Sequence, residues 1–267
     1  NARVQMLLNG TVQIKSRLNN FKDLEIIICA NKALRNLGVA QVHLYVPYFL
    51  GSRSDRQFKN TGVNYLKQVI CPIINSQNFS SVSVIDPHSD VLEACLNNFV
   101  KINNFRLVDF ALEQLNGRSA QTAVVSPDAG ALKKIYDIAK QFNITNVTTA
   151  SKVRNLETGE IVRTELPGMI LKDIEHILII DDICDGGRTF IEIAKAIRQN
   201  QDHADLSPEQ RGKIYLIVTH GIFSAGLLEL SNWFENIYTT NSVQDIDCES
   251  YSDYTVRKDF VKQLNVF

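Results

Sequence analysis

The sequence predicts an α/β protein built as two similar three-layer domains with mainly parallel sheets, and a few observations carry that expectation. Short apolar runs alternate along the chain with segments of helical periodicity. The run Ile177-Leu178-Ile179-Ile180 shows no polar alternation, which is the pattern of a strand buried on both faces in a parallel sheet. Both halves also repeat one plan, in which a strand is followed by a polar loop and then a helix.

In chain order, strands are expected at 12–14, 43–46, 82–85, 122–125, 147–149, 177–180, 214–218 and 237–239, each a short apolar run. Helices are expected at 23–37, 65–76, 89–97, 109–115, 130–142, 189–199 and 227–232. Gly130 opens one of them directly after Ser126-Pro127-Asp128, and Thr189 opens another that carries Phe190, Ile191, Ile193, Ala194, Ala196 and Ile197. A last helix is expected within 252–267, packing back on the N-terminal domain. No linker rich in Pro, Gly or Ser divides the chain, so the boundary is set near Ile102-Asn103-Asn104, giving domains 1–102 and 103–251. The polar stretches 151–167 and 200–212 are read as mobile: the first, with Lys152 and Arg154, as a candidate lid, the second as a surface insertion.

Composition narrows the partners. The 267 residues are 45% hydrophobic and 21% charged, ordinary for a folded domain or a pair of them. With 28 basic and 29 acidic residues there is no nucleic-acid footprint, so any phosphate recognition is local. No apolar window is long enough for a transmembrane span, and Asn1-Ala2-Arg3-Val4 lacks the layout of a signal peptide. The 5 cysteines are widely spaced without a C-x-x-C pair, as in a reducing compartment, so a cytoplasmic location is expected. Cys184 has no evident base partner and reads as a packing residue. Asn9, Asn78, Asn143 and Asn146 begin acceptor triplets that mean nothing in a cytoplasmic chain.

The chemistry concentrates in Asp181-Asp182-Ile183-Cys184-Asp185-Gly186-Gly187-Arg188-Thr189. Asp181 and Asp182 close a buried strand at its carboxyl end, where open α/β sheets bind ligands. A helix-dipole role alone does not explain two adjacent carboxylates that repel each other. Accepting hydrogen bonds from the vicinal hydroxyls of a sugar does. The turn Asp185, Gly186, Gly187, Arg188 and Thr189 aims backbone N–H groups and a helix N-terminus at an anion, which makes the whole a site for a phosphorylated sugar.

That element resembles the ribose-5-phosphate loop of type I phosphoribosyltransferases. An ordered set of further motifs resembles the ribose-phosphate pyrophosphokinase family: Tyr45-Val46-Pro47-Tyr48-Phe49 with Arg53-Ser54-Asp55-Arg56, Ile85-Asp86-Pro87-His88, Val124-Val125-Ser126-Pro127-Asp128-Ala129-Gly130-Ala131, Lys152 with Arg154, and Thr219-His220-Gly221-Ile222-Phe223-Ser224. The resemblance implies a phosphoribosyltransferase-like fold in both domains and transfer of the diphosphoryl group of Mg-ATP to ribose 5-phosphate. It assigns Lys152 and Arg154 to catalysis, and Arg53, Asp55 and His88 to ATP. Asp128, Asp181, Asp182, Asp185, Gly186, Gly187, Arg188 and Thr189 fall to ribose 5-phosphate, and His88 and Asp128 to Mg2+. Magnesium prefers oxygen donors, so His88 acts on it directly or through water. His220 lines the site or is structural.

Departures from the family pattern are specific. Gly186 stands where the family has Thr, Arg188 where it has Gly, Val153 where it has Arg, and Ser54 where it has Gln. The early Phe-x-x-Gly-Glu-type loop that holds adenine has no counterpart in the first twenty residues, so the chain is trimmed there or holds adenine otherwise. A shared ATP site implies a homo-oligomer, a dimer or a hexamer. A non-catalytic synthetase-associated regulator and a phosphoribosyltransferase are the rival readings.

Overall fold

Residues 2–7, 10–57, 62–116, 119–154, 161–169, 172–247 and 256–267 are described by a computed structural model, with the backbone alone at 119, 152–154 and 161–163. The chain divides into two compact units: Asn1–Asn104 with Asn241–Asp245 and Asn265–Phe267, and Phe105–Thr240 with Ile246–Leu264.

The first unit holds β1 (Ala2–Met6), β2 (Val12–Ser16), α1 (Phe21–Asn36), β3 (Val42–Tyr45), a π-helical turn Leu66–Ile70 running into α2 (Cys71–Asn75), β4 (Ser81–Ile85), α3 (Val91–Cys95) and β5 (Phe99–Ile102). Its sheet follows sequence order, β1-β2-β3-β4-β5, parallel from β2 onward, with β1 antiparallel on the edge. α1 starts where the Asn20 side chain accepts from the Asp23 N–H, a cap that satisfies one of the free first-turn donors. Val12, Ile14, Val42, Leu44, Val82 and Val84 are buried with Leu24 and Ile27 of α1 and with Ile70 and Ile74. The alternate residues Gln13, Lys15, His43, Tyr45, Ser81 and Ser83 are only half-buried. Period-2 alternation thus gives this sheet one apolar and one polar face.

The second unit holds α4 (Phe105–Leu115), β6 (Thr122–Ser126), α5 (Leu132–Gln141), β7 (Asn146–Thr149), β8 (Ser151–Arg154), β9 (Ile161–Glu165), β10 (His176–Cys184), α6 (Arg188–His203), β11 (Lys213–Gly221), α7 (Leu228–Ser231), β12 (Asn236–Thr240) and β13 (Val261–Leu264). Its main sheet is parallel in the order β13-β12-β11-β10-β6-β7. Ile177 and Ile179 pack with Phe190, Ile193 and Ile197 of α6, whereas Leu178 and Ile180 pack with α4 and α5 through Val108, Ala111, Ile135 and Ile138. Helices on both apolar faces complete the three layers here, as the unbroken run of β10 predicts.

The C-terminal segment corrects the sequence reading: in place of a helix within 252–267, Val261–Leu264 pairs with β12 as a parallel edge strand. A short segment without helical caps gains more from the open edge of β12 than from an isolated turn. The last residues then rejoin the first unit, where the Tyr45 hydroxyl donates to the Val266 carbonyl at 2.8 Å and the Arg17 guanidinium lies over the Phe267 ring. Two further segments carry regular structure in part. The stretch 151–167 contributes the antiparallel β8–β9 hairpin, anchored by buried Leu166, with 155–160 outside the described residues. The stretch 200–212 continues α6 to His203, and buried Gln201 donates to the Gly212 carbonyl at 3.1 Å.

Candidate functional site

The crossovers of the second unit reverse direction between β6 and β10. From β6 the chain passes through α5 outward to β7, and from β10 through α6 the other way to β11. Helices leaving opposite faces open a crevice at the carboxyl ends of β6 and β10, the topological switch point where open α/β sheets bind ligands. Ser126-Pro127-Asp128 leaves β6 at this edge, and Asp181–Thr189 closes β10 there. The Thr219–Ser224 stretch leaves β11 on the same edge, and β8 with Lys152 and Arg154 begins directly after β7. The Ala150 N–H donates to the Ser126 carbonyl at 2.8 Å, tying the start of β8 to the end of β6.

Asp181 and Asp182 lie inside β10 rather than in a loop, with Asp181 opposite Val218 and both beyond the last residues paired with β6. Asp182 is 6% exposed and Asp181 partly buried. The Asp182 N–H donates to Asp181 Oδ1 at 2.9 Å, and Lys134 Nζ of α5 stands 3.7 Å from Asp182 Oδ1. Burial first, and then the neighbouring Asp182, pushes the Asp181 carboxyl up to about 8, while Lys134 pulls it back.

The sign of the resulting pH effect is set by which state holds the proton. Between the ordinary value of 3.8 and about 8 the folded chain keeps a proton that the unfolded chain has released. Stability is therefore greatest below that window and is lost as pH rises through it. Asp181→Asn keeps the shape without the charge, so the variant is expected to gain on the order of 1–3 kcal/mol at about pH 9 and nothing near pH 4. Thermal melts across that range measure it, and a variant less stable than the parent at the alkaline end contradicts the account.

The following turn has geometry that can receive an anion. Gly187 caps α6 with φ 78°, a left-handed conformation that only glycine adopts freely, and a Cβ there would stand 3.0 Å from Leu230 Cδ2. Gly186 is exposed with open space around it. The first turn of any helix leaves backbone N–H groups without intrahelical acceptors. That of α6 contains no acidic residue and begins with exposed Arg188. A cation added to the positive end of a helix dipole is unfavourable unless an anion joins it.

The Asp185 carboxylate accepts from Ser224 Oγ at 2.5 Å, which fixes the turn to the loop after β11. That loop is tight. Phe223 is buried with φ 49°, and the N–H groups of Ile222 and Phe223 both donate to the Cys184 carbonyl. A Cβ at Gly221 would fall 2.2 Å from Phe223 Cε2. Gly221→Ala is thus expected to cost about 1–3 kcal/mol through overpacking. Denaturant unfolding measures the loss, and an unchanged midpoint would show that the Phe223 ring moves aside freely. His220 and Cys184 are both buried in this part of the sheet, the latter at 0% exposure in the core.

Asp128 is exposed, and its Oδ1 accepts from the Ala131 N–H at 3.0 Å, so part of its role is to shape the approach to α5. In the first unit, Arg53 and His88 are exposed on the loops after β3 and β4. Asp55 is buried, and its Oδ2 accepts from Ser89 Oγ at 2.6 Å, which joins those loops. The side chains of Lys152 and Arg154 lie outside the described atoms. Among the described residues, no group of three or more His, Cys, Asp or Glu side chains forms a metal cage. Magnesium needs none, because it keeps waters and binds through one or two carboxylates plus substrate phosphates. Exposed Asp128 fits that donor set.

Lys134, Ser224 and Ser89 were missed in the sequence. For Lys134 a signal existed: Lys133-Lys134 opens a helix with no acidic residue in its first turn, the wrong end for cations. A cavity of about 1030 Å³ lies elsewhere, at the amino ends of β10 and β11 beside His176, His203, Arg211 and Lys213. It shares no residue with the switch point, and the chemistry described above does not involve it.

Comparison with known proteins bears on the fold and on what the chain is similar to. Residues 100–224 match the family described as Phosphoribosyl transferase domain, a span that includes Asp128, Lys152, Arg154 and Asp181–Thr189. A ribose-phosphate pyrophosphokinase of Marinomonas sp. (strain MWYL1) is 25% identical over 77% of this chain and 61% of its own length. One of Sulfurisphaera tokodaii is 25% identical over 84% of this chain and 72% of its own length. The chain spans about three fifths of the first of these relatives. The crystal structure of phosphoribosylpyrophosphate synthetase from Mycobacterium smegmatis superposes with a TM-score of 0.74 at 14% identity, covering 100% of this chain and 86% of that one. The resemblance to ribose-phosphate pyrophosphokinases and the mainly parallel α/β fold therefore stand. No helix among the described residues is long and apolar enough to cross a membrane.

Proposed function

We propose that this chain is a ribose-phosphate diphosphokinase. The observation that carries the reading is the pairing, at one switch point, of the adjoining Asp181 and Asp182 carboxylates with the Gly186–Thr189 turn at the N-terminus of α6. Carboxylates accept from sugar hydroxyls, and amides with Arg188 bind a phosphate, so together they select a phosphorylated pentose. The anomeric oxygen of ribose 5-phosphate would attack the β-phosphorus of ATP. The α–β bridging bond breaks, AMP leaves, and the C1 hydroxyl proton is released, giving phosphoribosyl pyrophosphate.

Positioning and charge neutralisation carry most of such a transfer. Magnesium bound with the nucleotide supplies neutralisation of its phosphates, and Asp128 and His88 are the residues assigned to it. Lys152 and Arg154 are assigned to the charge that builds on the transferring group. Asp185 holds the phosphate turn through Ser224. Arg53 and His88 are assigned to ATP, whereas Asp55 acts on that side through Ser89, because its carboxylate is buried.

The test is incubation of the chain with ribose 5-phosphate, Mg-ATP and phosphate, followed by detection of AMP and phosphoribosyl pyrophosphate. Equimolar products support the reading. Consumption of phosphoribosyl pyrophosphate with a nucleobase would instead make the chain a transferase, and absence of both activities in a folded chain would make it a non-catalytic relative.

Arg53→Ala is expected to weaken ATP binding about tenfold and to leave ribose 5-phosphate binding unchanged, through loss of a planar cation that stacks on adenine or pairs with phosphate. Separate calorimetric titrations check both halves. A homo-oligomer is proposed as the active form. Activity that falls on dilution agrees with it, and a fully active monomer in sedimentation excludes it.

A further inference from the structure

Asp181 and Asp182 cannot serve a diol unless their charge is managed. Two adjoining carboxylates in a partly desolvated strand resist joint ionisation. A shared proton turns one acceptor oxygen into a donor, facing hydroxyls that are themselves donors. Among the described residues, the charged groups acting on Asp181 are Asp182 beside it and Lys134 on α5.

Lys134 is placed against its own local preferences. It sits in the first turn of a helix with no acidic residue there, where the dipole disfavours a cation. Its side chain is 26% exposed with the ammonium nitrogen shielded from solvent, although lysine usually keeps that group in water. Asp182 Oδ1 at 3.7 Å, itself on a carboxylate only 8% exposed, offsets part of both penalties. α5 follows the Asp128 turn directly, so one short segment supplies an exposed carboxylate and this cation to the same sheet edge.

We propose that Lys134 is a positioning residue for sugar binding, holding the Asp182 carboxylate in place and favouring the ionised form of the pair, which accepts from vicinal hydroxyls. The inference rests on the reading of Asp181 and Asp182 as sugar ligands. It goes beyond that reading by assigning the control of their charge to a residue that touches no substrate.

Lys134→Met keeps the aliphatic stem and removes the charge, whereas Lys134→Arg keeps the charge. In the substrate-free chain, carbon NMR of the two aspartate carboxyls is expected to show the upper titration of the pair rising by about one unit or more in Lys134→Met. With substrate, the same variant is expected to weaken ribose 5-phosphate affinity about tenfold and raise its KM alike, with kcat at saturation within about twofold, the signature of lost ground-state binding. Lys134→Arg should restore both readouts, which a purely structural role of the stem would not require. Lys134→Gln serves as a second neutral variant if the Met form does not fold. Unchanged carboxyl titration and sugar affinity in a folded neutral variant overturn the role of Lys134 and leave the proposed function standing. Failure of the parent chain itself to bind ribose 5-phosphate overturns the proposed function, and this inference with it.

Discussion

Replacing Asp181 and Asp182 together by Asn is expected to abolish measurable ribose 5-phosphate binding while the chain still folds. Each carboxylate is read as accepting a charge-assisted hydrogen bond from a ribose hydroxyl, worth about 1.5–3 kcal/mol. Loss of both corresponds to roughly a 10²–10⁴-fold drop in affinity. An amide presents one acceptor and one donor, and the donor faces a hydroxyl whose proton has nowhere to go. Folding should survive for a reason that the structure supplies and a loop placement would not. The pair lies within β10, where burial and mutual repulsion already hold the Asp181 carboxyl up at about 8, so removing the Asp181 charge relieves the fold and offsets what Lys134 loses with the Asp182 charge. Calorimetric titration with ribose 5-phosphate, alongside a thermal melt, separates the effects. Unchanged sugar affinity in the folded double variant would remove the central argument for the function.

How much of this was legible before the fold is seen from individual residues. Ile177, Leu178, Ile179 and Ile180 announced a strand buried on both faces, and each is 0% exposed with its neighbours on opposite helical layers. The switch point followed, because a carboxylate-tipped parallel strand before a glycine turn has few other uses. The first unit was less legible on its second face. Ser81, Ser83, His43 and Tyr45 alternate with the core residues of β3 and β4, a period-2 signal that a search for short apolar runs passes over.

β13 was misread as a helix because the strand it pairs with, β12, lies some twenty residues back in the chain, and edge pairing of that kind leaves no local trace. Asp55 was placed on ATP by its position in a motif. Its commitment to Ser89 depends on two loops meeting, which spacing along the chain does not encode. Lys134 is the instructive case. Its anomaly, a cation in an uncapped first turn, was present in the sequence, but only the neighbouring strand shows what the cation answers.

The remaining large effect concerns β8. Lys152→Ala is expected to lower kcat by on the order of 10²-fold or more while the KM for ribose 5-phosphate changes little. The argument begins with topology: β8 starts immediately after β7, on the edge of the sheet where Asp128 and Asp181–Thr189 emerge, and pairs with β9 as a hairpin. Lys152 stands opposite Thr164, and a register shift follows between Val153 and Arg154. Leu166, directly after β9, is buried in the core of the second unit.

Under the proposed function, the Lys152 cation meets the phosphates of the nucleotide most fully when negative charge has built up during transfer, so its loss is expected to act on the transition state rather than on the resting complex. Arg154→Ala should behave alike, and the double variant should lose less than the product of the single losses, because two cations that serve one developing charge act as a unit. Steady-state kinetics with both substrates varied decides the matter. A large rise in the KM for ATP at constant kcat would make the hairpin a nucleotide-binding element, and the rate enhancement would then have to come from the groups around Asp128 and Arg188.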